Sequence, residues 1–177
     1  MTHPLESAGL APVLRPGVRF MLSHPAHFIA LGFGSGLSPV APGTAGTLWA
    51  WLAWLVMAQW LTPFQLGWVI AGALAVGWWA CAVTATHMRS PDPGSIVWDE
   101  VVSFWIILWL VMPAGFSMQC AAFLLFRVLD TFKPGPVGWA DGVFVGFGWR
   151  AGFGVLFDDL VAASCTLLLI ALWRHPW

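Results

Sequence analysis

The residues FQLGWVIAGALAVGWWACAVTAT, positions 64–86, form a long apolar run that contains no charged side chain. A run of this length is sufficient for a helix to cross the hydrocarbon core of a bilayer. Gly67, Gly72 and Gly77 within the run allow neighbouring helices to approach closely. We therefore predict a transmembrane helix here, and this helix sets the class of fold.

The apolar run immediately before it, LWAWLAWLVMAQWL at positions 48–61, predicts a second helix. Thr62 and Pro63 follow, and a proline ends one helix or starts the next. Fourteen residues cover roughly 21 Å at helical rise, which is less than a bilayer core of about 30 Å. We expect this helix to span with little or no tilt, its ends extending into the flanking turns.

The composition of the whole chain predicts a multi-spanning membrane protein. Of its 177 residues 59% are hydrophobic and 8% are charged, with a mean hydropathy of +0.81, whereas soluble domains carry about 25% charged residues. The net charge of -1 leaves no basic surface for nucleic acid. The three cysteines and five histidines lack the paired spacing of a disulfide framework or a metal site, and we expect most of the histidines to be interfacial.

A single domain is predicted, because 177 residues suffice for one membrane bundle and not for a further soluble domain. Residues 1–25 contain four prolines and no apolar segment of signal-peptide length. We expect them to form a cytoplasmic N-terminal arm. Residues 26–177 are expected to form one membrane-embedded, all-α helix bundle.

Residues 87–126 allow two topologies, which differ in the role of Pro113. If Pro113 only kinks one long helix, Glu100 and Asp130 lie about 45 Å apart on opposite faces of the membrane. If residues 113–115 form a turn, two arms of about 20 Å dip in and return, and both acids meet at one face. We favour the hairpin, whose short arms predict a re-entrant or protein-buried pair of helices.

The end of the chain is predicted to contain a glycine-rich connection, residues 135–154, and a last helix, residues 160–173, with Asp158 and Asp159 at its start. Counting crossings places most polar segments on one side, and the excess of Lys and Arg there makes that side cytoplasmic. Arg174 alone lies on the other side. The cytoplasmic set comprises residues 35–46, 87–100, 127–150 and 158–159, with Arg15, Arg19, Arg89, Arg127, Lys133 and Arg150.

Five of the eight acidic residues lie in three short clusters beside apolar runs: Asp99 with Glu100, Asp130, and Asp158 with Asp159. Each cluster alone has a structural explanation, because acids are favoured in the first turns of helices and Asp130 follows Arg127 by three residues. Charges beside hydrocarbon are costly, however, so acids at the edges of membrane segments indicate a cation site or a proton path. Together they predict one Mg²⁺ site, with Arg127 and Lys133 suited to phosphate recognition.

The segment GSGLSPVAPGTAG at positions 34–46 leads directly into a predicted helix and has two explanations. Backbone N–H groups at its glycines, with the hydroxyl groups of Ser35, Ser38 and Thr44, are suited to hold a phosphate at a helix N-terminus. Alternatively the segment is a linker in which Thr44 or Thr47 caps the helix. The chain contains no P-loop motif.

Four blocks of sequence resemble the signature blocks of the phosphatidylglycerophosphatase A family. They follow one another in the order found in that family and together span most of residues 32–162. The blocks are GFGSGLSPVAPGTAGTL (32–48), DPGSIVWDEVVSFWI (92–106), FRVLDTFKPGPV (126–137) and GFGVLFDDLVA (152–162).

The resemblance implies an all-helical, magnesium-dependent phosphatase that converts phosphatidylglycerophosphate to phosphatidylglycerol and phosphate. It implies a multi-pass protein of the bacterial cytoplasmic (inner) membrane, with its active site facing the cytoplasm. Its partners would be this phospholipid and membrane lipids, and no obligate protein partner is evident. Matched by position, the implied catalytic residues are Asp99, Glu100, Asp130 and Asp159, the implied metal ligands are Asp99, Glu100, Asp130, Asp158 and Asp159, and the implied phosphate-binding residues are Ser35, Gly36, Ser38, Gly43, Thr44, Arg127 and Lys133.

Two other classes of function fit parts of the sequence. A CDP-alcohol phosphatidyltransferase also uses acids and magnesium at a membrane face, and fragments of its motif occur at Asp141-Gly142 and from Gly154 to Asp158, but its last acidic position is Ala162 here. A small ion-coupled transporter or a membrane scaffold would hold acids near the middle of the membrane. The predicted positions at helix edges argue against the second class.

Overall fold

A computed structural model describes residues 15–90, 93–144 and 148–174 of the chain. Within these ranges all regular secondary structure is helical, which confirms the predicted all-α class. The α-helices are α1 (Val18–Leu22), α2 (Pro25–Ala30), α3 (Pro42–Trp60), α4 (Pro63–Met88), α5 (Trp98–Leu110), α6 (Phe116–Phe132), α7 (Pro136–Val143) and α8 (Trp149–Arg174), with a 3-10 helix at Gly32–Leu37 between α2 and α3. Most of the expected N-terminal arm, residues 1–14, lies outside the described residues.

Two of these helices are long and apolar enough to cross a bilayer, namely α4 and the part of α8 from Gly152 to Arg174. Large apolar side chains also cover the outside of the molecule, and Trp60, Phe64 and Trp68 are 81%, 75% and 68% exposed. Soluble monomers rarely expose apolar surface on this scale. These features indicate a membrane protein, and α4 coincides with the predicted transmembrane helix.

The chain reverses direction between α5 and α6, which pack against each other. Helix α5 ends at Leu110, and α6 begins at Phe116. The turn between them contains Pro113, so the predicted hairpin is confirmed and the single kinked helix is excluded. Helix α5 lies at the centre of the bundle, in contact with α3, α4 and α8, and buries Phe104 and Ile107 completely.

The predicted boundary of the last helix was wrong. Helix α8 begins at Trp149, so Asp158 and Asp159 lie well inside it rather than at its start. The glycine-rich stretch that precedes them was interpreted as a connection, but it forms α7 and the first turns of α8. Glycine serves close packing there, since a Cβ on Gly152 would lie 2.7 Å from the backbone nitrogen of Ala82 in α4.

Helix α3 also begins earlier than predicted, at Pro42 instead of residue 48. The cap expected from Thr44 or Thr47 does not form, because Ala41 occupies the N-cap position in the left-handed region (φ 46°). The hydroxyl group of Thr47 instead donates a hydrogen bond to the carbonyl oxygen of Gly43 at 2.8 Å. With these two turns added, α3 has 19 residues and covers about 28 Å.

His24 and His27, which are close in sequence, come together with the distant His87 beside the last turn of α4. His27 is 2% exposed and hydrogen-bonds to both Thr84 and His87. The ring centroid of His24 lies 5.3 Å from that of His27. The expectation of mostly scattered, interfacial histidines was therefore wrong for His27, because α2 packs against α4 and buries it. His3 and His175 lie outside the described residues.

Substitution of Gly152 by alanine is expected to destabilise the protein by about 1–3 kcal/mol. The new methyl group would overlap the backbone of Ala82, which cannot move without displacing α4. Gly72→Ala is the matched control, because a Cβ at that position of α4 has no atom within 4 Å. Thermal unfolding in detergent should show a lower midpoint for Gly152→Ala only. Equal midpoints for both variants would contradict the close contact between α4 and α8.

Candidate active site

A cavity of about 430 Å³ opens where the first turns of α3 and α5 meet the end of α6 and the middle of α8. The five acids that the sequence singled out all line it, although they come from three helices. Arg127 and Lys133 line it as well. Its remaining lining residues are Ala41, Pro42, Gly43, Thr44, Gly94, Ile96, Thr131 and Val155.

Three carboxylates converge within this cavity, those of Asp99, Glu100 and Asp159. Each of them offers an oxygen atom that lies within 4.8 Å of the oxygen atoms offered by the other two. All three residues are at least nine-tenths buried, and Asp99 Oδ1, Glu100 Oε2 and Asp159 Oδ2 have no hydrogen-bond partner. Buried carboxylate oxygens are costly when unpaired. The set therefore fits a hard cation such as Mg²⁺, which takes oxygen ligands.

The start of α5 lies outside the two candidate membrane spans. The electrostatics of its two acids also indicate a cation site. Burial raises the pKa of both the Asp99 and the Glu100 carboxyl groups, and the charge of Glu100 raises the pKa of Asp99 further. Arg127 opposes this effect in part, since its charge lowers the pKa of Glu100. A divalent cation between the two carboxylates would reverse this effect and keep them ionised.

Arg127 connects three helices on one side of the cavity. Its guanidinium group forms an ion pair with Asp130 at 2.7 Å, as the spacing of three residues predicted, and lies 3.5 Å from Glu100. A weaker contact of 3.4 Å reaches the Thr47 hydroxyl group in α3. The Nε atom of Arg127 has no hydrogen-bond partner. The guanidinium group is therefore fixed in position and keeps a donor for a further ligand.

Lys133 stands on the other side of the cavity, directly after α6, in the left-handed conformation (φ 43°). Its ammonium group contacts Asp158 at 2.6 Å and also forms an ion pair with Asp141 of α7. Burial by itself would lower the pKa of Lys133, but the hydrogen bonds to Asp141 and Asp158 outweigh it and raise the pKa. Asp141 was not predicted to belong to this site, because its position depends on the packing of α7 against α8.

Residues 34–46, the predicted phosphate-binding segment, line two different cavities. Gly43 and Thr44 line the acidic cavity, whereas Gly36 and Ser38 line a neighbouring cavity of about 210 Å³. The Ser35 hydroxyl group donates to the carbonyl oxygen of Gly32, and the Ser38 hydroxyl group donates to that of Val40. The structure thus brings only part of the predicted phosphate-binding set to the acids.

Comparison with known proteins identifies the family of this chain. A family model described as phosphatidylglycerophosphatase A matches residues 28–174, which include every acid and cation of the cavity. The chain belongs to the phosphatidylglycerophosphatase A family. It is therefore a phosphatase, and the phosphatidyltransferase and transporter interpretations are set aside.

Three curated relatives are similar to this chain, two with the name of this family and one with a different name. Phosphatidylglycerophosphatase A of Escherichia coli is 38% identical over 160 residues, 90% of this chain and 89% of the relative. The Haemophilus influenzae protein of the same name is 34% identical over 155 residues, 88% of this chain and 92% of the relative. A Bacteroides thetaiotaomicron protein named as a candidate phosphatidylinositol-3-phosphatase is 38% identical over 153 residues, 82% of this chain and 91% of the relative. No solved structure matches the chain.

Substitution of Gly43 by alanine is expected to lower phosphatase activity about a hundredfold while the protein stays folded. A Cβ at this position would overlap Glu100 Oε1 and lie 2.9 Å from a guanidinium nitrogen of Arg127, so both side chains would move. Gly94→Ala is the control, since Gly94 lines the same cavity but a Cβ there has no atom within 4 Å. Steady-state rates of the two variants test the prediction. It fails if Gly43→Ala is as active as Gly94→Ala.

Proposed function

We propose that the cavity hydrolyses the terminal phosphate monoester of phosphatidylglycerophosphate with the help of Mg²⁺, releasing phosphatidylglycerol and phosphate. The observation that carries this proposal is the convergence of three buried carboxylates, each with one oxygen that has no hydrogen-bond partner, in a cavity that two cationic side chains also line. The carboxylates would hold the metal, and the two cationic side chains would hold the phosphate oxygens of the substrate. Membership of the phosphatidylglycerophosphatase A family supports the choice of substrate.

We assign Asp99, Glu100 and Asp159 as the residues that hold the cation. A bound Mg²⁺ would supply polarisation of the phosphoryl group and neutralise charge that develops on it. Asp130 and Asp158 are the other two acids of the predicted set, and each forms an ion pair with Arg127 or Lys133. These ion pairs hold the side chains of Arg127 and Lys133 in place beside the three carboxylates.

Arg127 and Lys133 are assigned to the phosphate oxygens of the substrate. Both are partly buried and both line the cavity, so a phosphate between them is attracted strongly and is held in one orientation. Gly43 and Thr44 lie at the first turn of α3, where a backbone N–H group can add a hydrogen bond to the same phosphate. Ser35, Gly36 and Ser38 are not assigned to this contact, because they do not line the cavity.

Asp130 is assigned as the proton acceptor for the attacking water molecule. It lines the cavity and is held by Arg127, and it is not one of the three carboxylates whose oxygens converge. Water attacks the phosphorus atom as Asp130 accepts its proton, the bond from phosphorus to the glycerol oxygen breaks, and the glycerol oxygen takes up the proton from Asp130. The products are a free hydroxyl group on the lipid and inorganic phosphate.

We also propose a multi-pass arrangement in the bacterial cytoplasmic membrane, with the cavity at the cytoplasmic face. The exposed apolar surface of α3 and α4 and the short hairpin of α5 and α6 support several membrane-embedded segments. The excess of Lys and Arg on the side of the cavity supports the cytoplasmic orientation. Labelling of single introduced cysteines in intact cells tests this arrangement.

Phosphate release by the purified protein tests the substrate. We expect phosphatidylglycerophosphate to give a higher kcat/KM than phosphatidylinositol 3-phosphate, and water-soluble glycerol 3-phosphate to be a poor substrate. Each is assayed with Mg²⁺ and with EDTA. A higher kcat/KM for phosphatidylinositol 3-phosphate would replace the proposed substrate, and no release from folded protein with any divalent cation would overturn the proposed reaction.

A further inference from the structure

A second cavity, of about 490 Å³, lies beside α1 and the last turn of α4. The side chains of Arg15, Phe20, His87 and Arg89 line it. No acid lines it, and all described acids belong to the active-site cavity or to its ion pairs. Arg15 and Arg89 are exposed, and neither forms an ion pair with a described residue. This cavity therefore carries positive charge that no described carboxylate neutralises.

His87 is exposed, and a chain of hydrogen bonds that begins at the buried residues Thr84 and His27 sets its orientation in this cavity. His27 contacts Thr84 Oγ1 through Nδ1 at 2.9 Å and His87 Nδ1 through Nε2 at 3.0 Å. The ring of Phe20 stacks on His27 with 4.2 Å between centroids. Because Nδ1 of His87 is engaged, Nε2 is the ring nitrogen that remains for a ligand in the cavity.

The chain of hydrogen bonds has a direction. Burial, together with His87 and His24, lowers the pKa of His27 to about 4, so this ring is neutral and carries one proton. We assign the tautomer in which the Thr84 hydroxyl group donates to His27 Nδ1 and His27 Nε2–H donates to His87 Nδ1. His87 then carries its own proton on Nε2 and presents an N–H donor to the cavity.

Two carbonyl groups in the last turn of α4 are occupied by backbone hydrogen bonds. Helix C-termini expose carbonyl groups with partial negative charge, which repel anions. Here Arg89 takes the left-handed conformation (φ 53°), and the backbone N–H groups of Arg89 and Ser90 bond the carbonyl oxygens of Thr86 and Ala85 at 3.2 Å. The carbonyl groups of Ala85 and Thr86 are therefore occupied, which reduces the repulsion that an anion meets at this end of the helix.

A groove connects the second cavity with the active site. The intermediate cavity of about 210 Å³ shares Arg15 and Pro16 with the second cavity and shares Pro42 and Gly94 with the active-site cavity. Ser38 and Ser95 line it between these ends. Its other lining residues are glycine, proline and leucine, so Arg15 and these two serines are the polar side chains along the path.

We propose that Arg15, His87 and Arg89 form a second anion-binding site that takes a phosphate oxyanion, from either an anionic lipid headgroup or free inorganic phosphate. The guanidinium group of arginine donates two parallel N–H hydrogen bonds to phosphate oxygens. The oriented Nε2–H of His87 adds a third donor group to those of Arg15 and Arg89. The site lies at the end of the membrane-length helix α4, at the depth where lipid headgroups occur. It needs no catalytic step and stands independently of the proposed reaction.

Binding measurements on the full-length protein test this site. The variant Arg15→Gln/Arg89→Gln removes both guanidinium groups, and Arg19→Gln/Arg150→Gln removes the same charge from exposed positions that do not line the cavity. Native mass spectrometry in detergent counts bound dioleoylphosphatidylglycerol, with dioleoylphosphatidylcholine as the zwitterionic reference. Calorimetric titration with inorganic phosphate forms the second arm, and circular dichroism verifies folding of each variant.

We expect the Arg15→Gln/Arg89→Gln variant to lose about tenfold in affinity relative to the charge-matched control. A loss confined to phosphatidylglycerol identifies a lipid headgroup as the ligand, and a loss confined to inorganic phosphate identifies the free anion. A loss in both arms assigns the shared oxyanion chemistry. Equal binding by the two double variants in both arms overturns the proposal. His87→Ala, expected to reduce binding less than the double arginine variant, tests the contribution of the oriented ring.

Discussion

Asp159→Asn is expected to lower turnover by about 10²–10⁴-fold while the protein remains folded. Asp159 is 2% exposed, and its Oδ2 atom has no partner although it faces two other carboxylates. Asparagine keeps the shape of the side chain but replaces one anionic oxygen with an amide group, so a cation loses a ligand. Rates of phosphate release, measured with saturating Mg²⁺, give the size of the effect.

Two comparisons separate this loss from misfolding. Without metal, Asp159→Asn should be at least as stable as the wild type, because it removes repulsion among three buried carboxylates. Asp141→Asn removes the same charge from an exposed residue that contacts only Lys133 among the site residues, and we expect a loss of less than about tenfold. Near-normal turnover of Asp159→Asn would remove this residue from the metal site.

Addition of Mg²⁺ is expected to stabilise the metal-free protein by about 2.7 kcal/mol when free Mg²⁺ is 100 times its dissociation constant. For a chain of this length that corresponds to a rise of about 5–10 °C in the unfolding midpoint. The stabilisation arises because the ion binds the folded carboxylates of Asp99, Glu100 and Asp159 and not the unfolded chain. Thermal unfolding with EDTA and then with added Mg²⁺ measures it, and phosphatase activity should disappear and return in parallel.

The stabilisation should be much smaller in Asp99→Asn and Asp159→Asn, while Gly94→Ala should keep it, since Gly94 lines the cavity without offering a ligand. A midpoint that rises equally in all variants would indicate cation binding elsewhere. A midpoint that does not change in the wild type would exclude the three carboxylates as a Mg²⁺ site, even if the protein hydrolyses its substrate.

Several features of the active site were predictable because they depend on residues close in sequence. The ion pair of Arg127 with Asp130 follows from their spacing on one helix, and Asp99 with Glu100 in the first turn of α5 follows from the polar residues before an apolar run. A turn at residues 113–115 was predicted from a proline and a glycine between two apolar arms, and the structure has the turn between Leu110 and Phe116. That turn is what brings the start of α5 and the end of α6 to one cavity.

Other features were missed because they depend on contacts between distant segments. The start of α8 at Trp149 was hidden by glycines, which lower helix propensity but here allow helix packing against Ala82. Lys133 was predicted to bind phosphate, but its partners Asp141 and Asp158 could be found only once α7 was seen to pack against α8. The hydrogen bonds of His27 with Thr84 and His87 depend in the same way on the packing of α2 against α4.

The sequence by itself determined the helical class, the apolar segments of membrane length, the hairpin and the set of acids, because hydropathy, turn residues and helix periodicity act locally along the chain. The tertiary structure alone decided how those acids are used. It brought three of five similar carboxylates together, each with one unpartnered oxygen, and paired the other two with Arg127 and Lys133, although Glu100 of the first group also lies 3.5 Å from Arg127. That division depends on the rotation and depth of α5, α6 and α8 relative to one another, which only their packing sets.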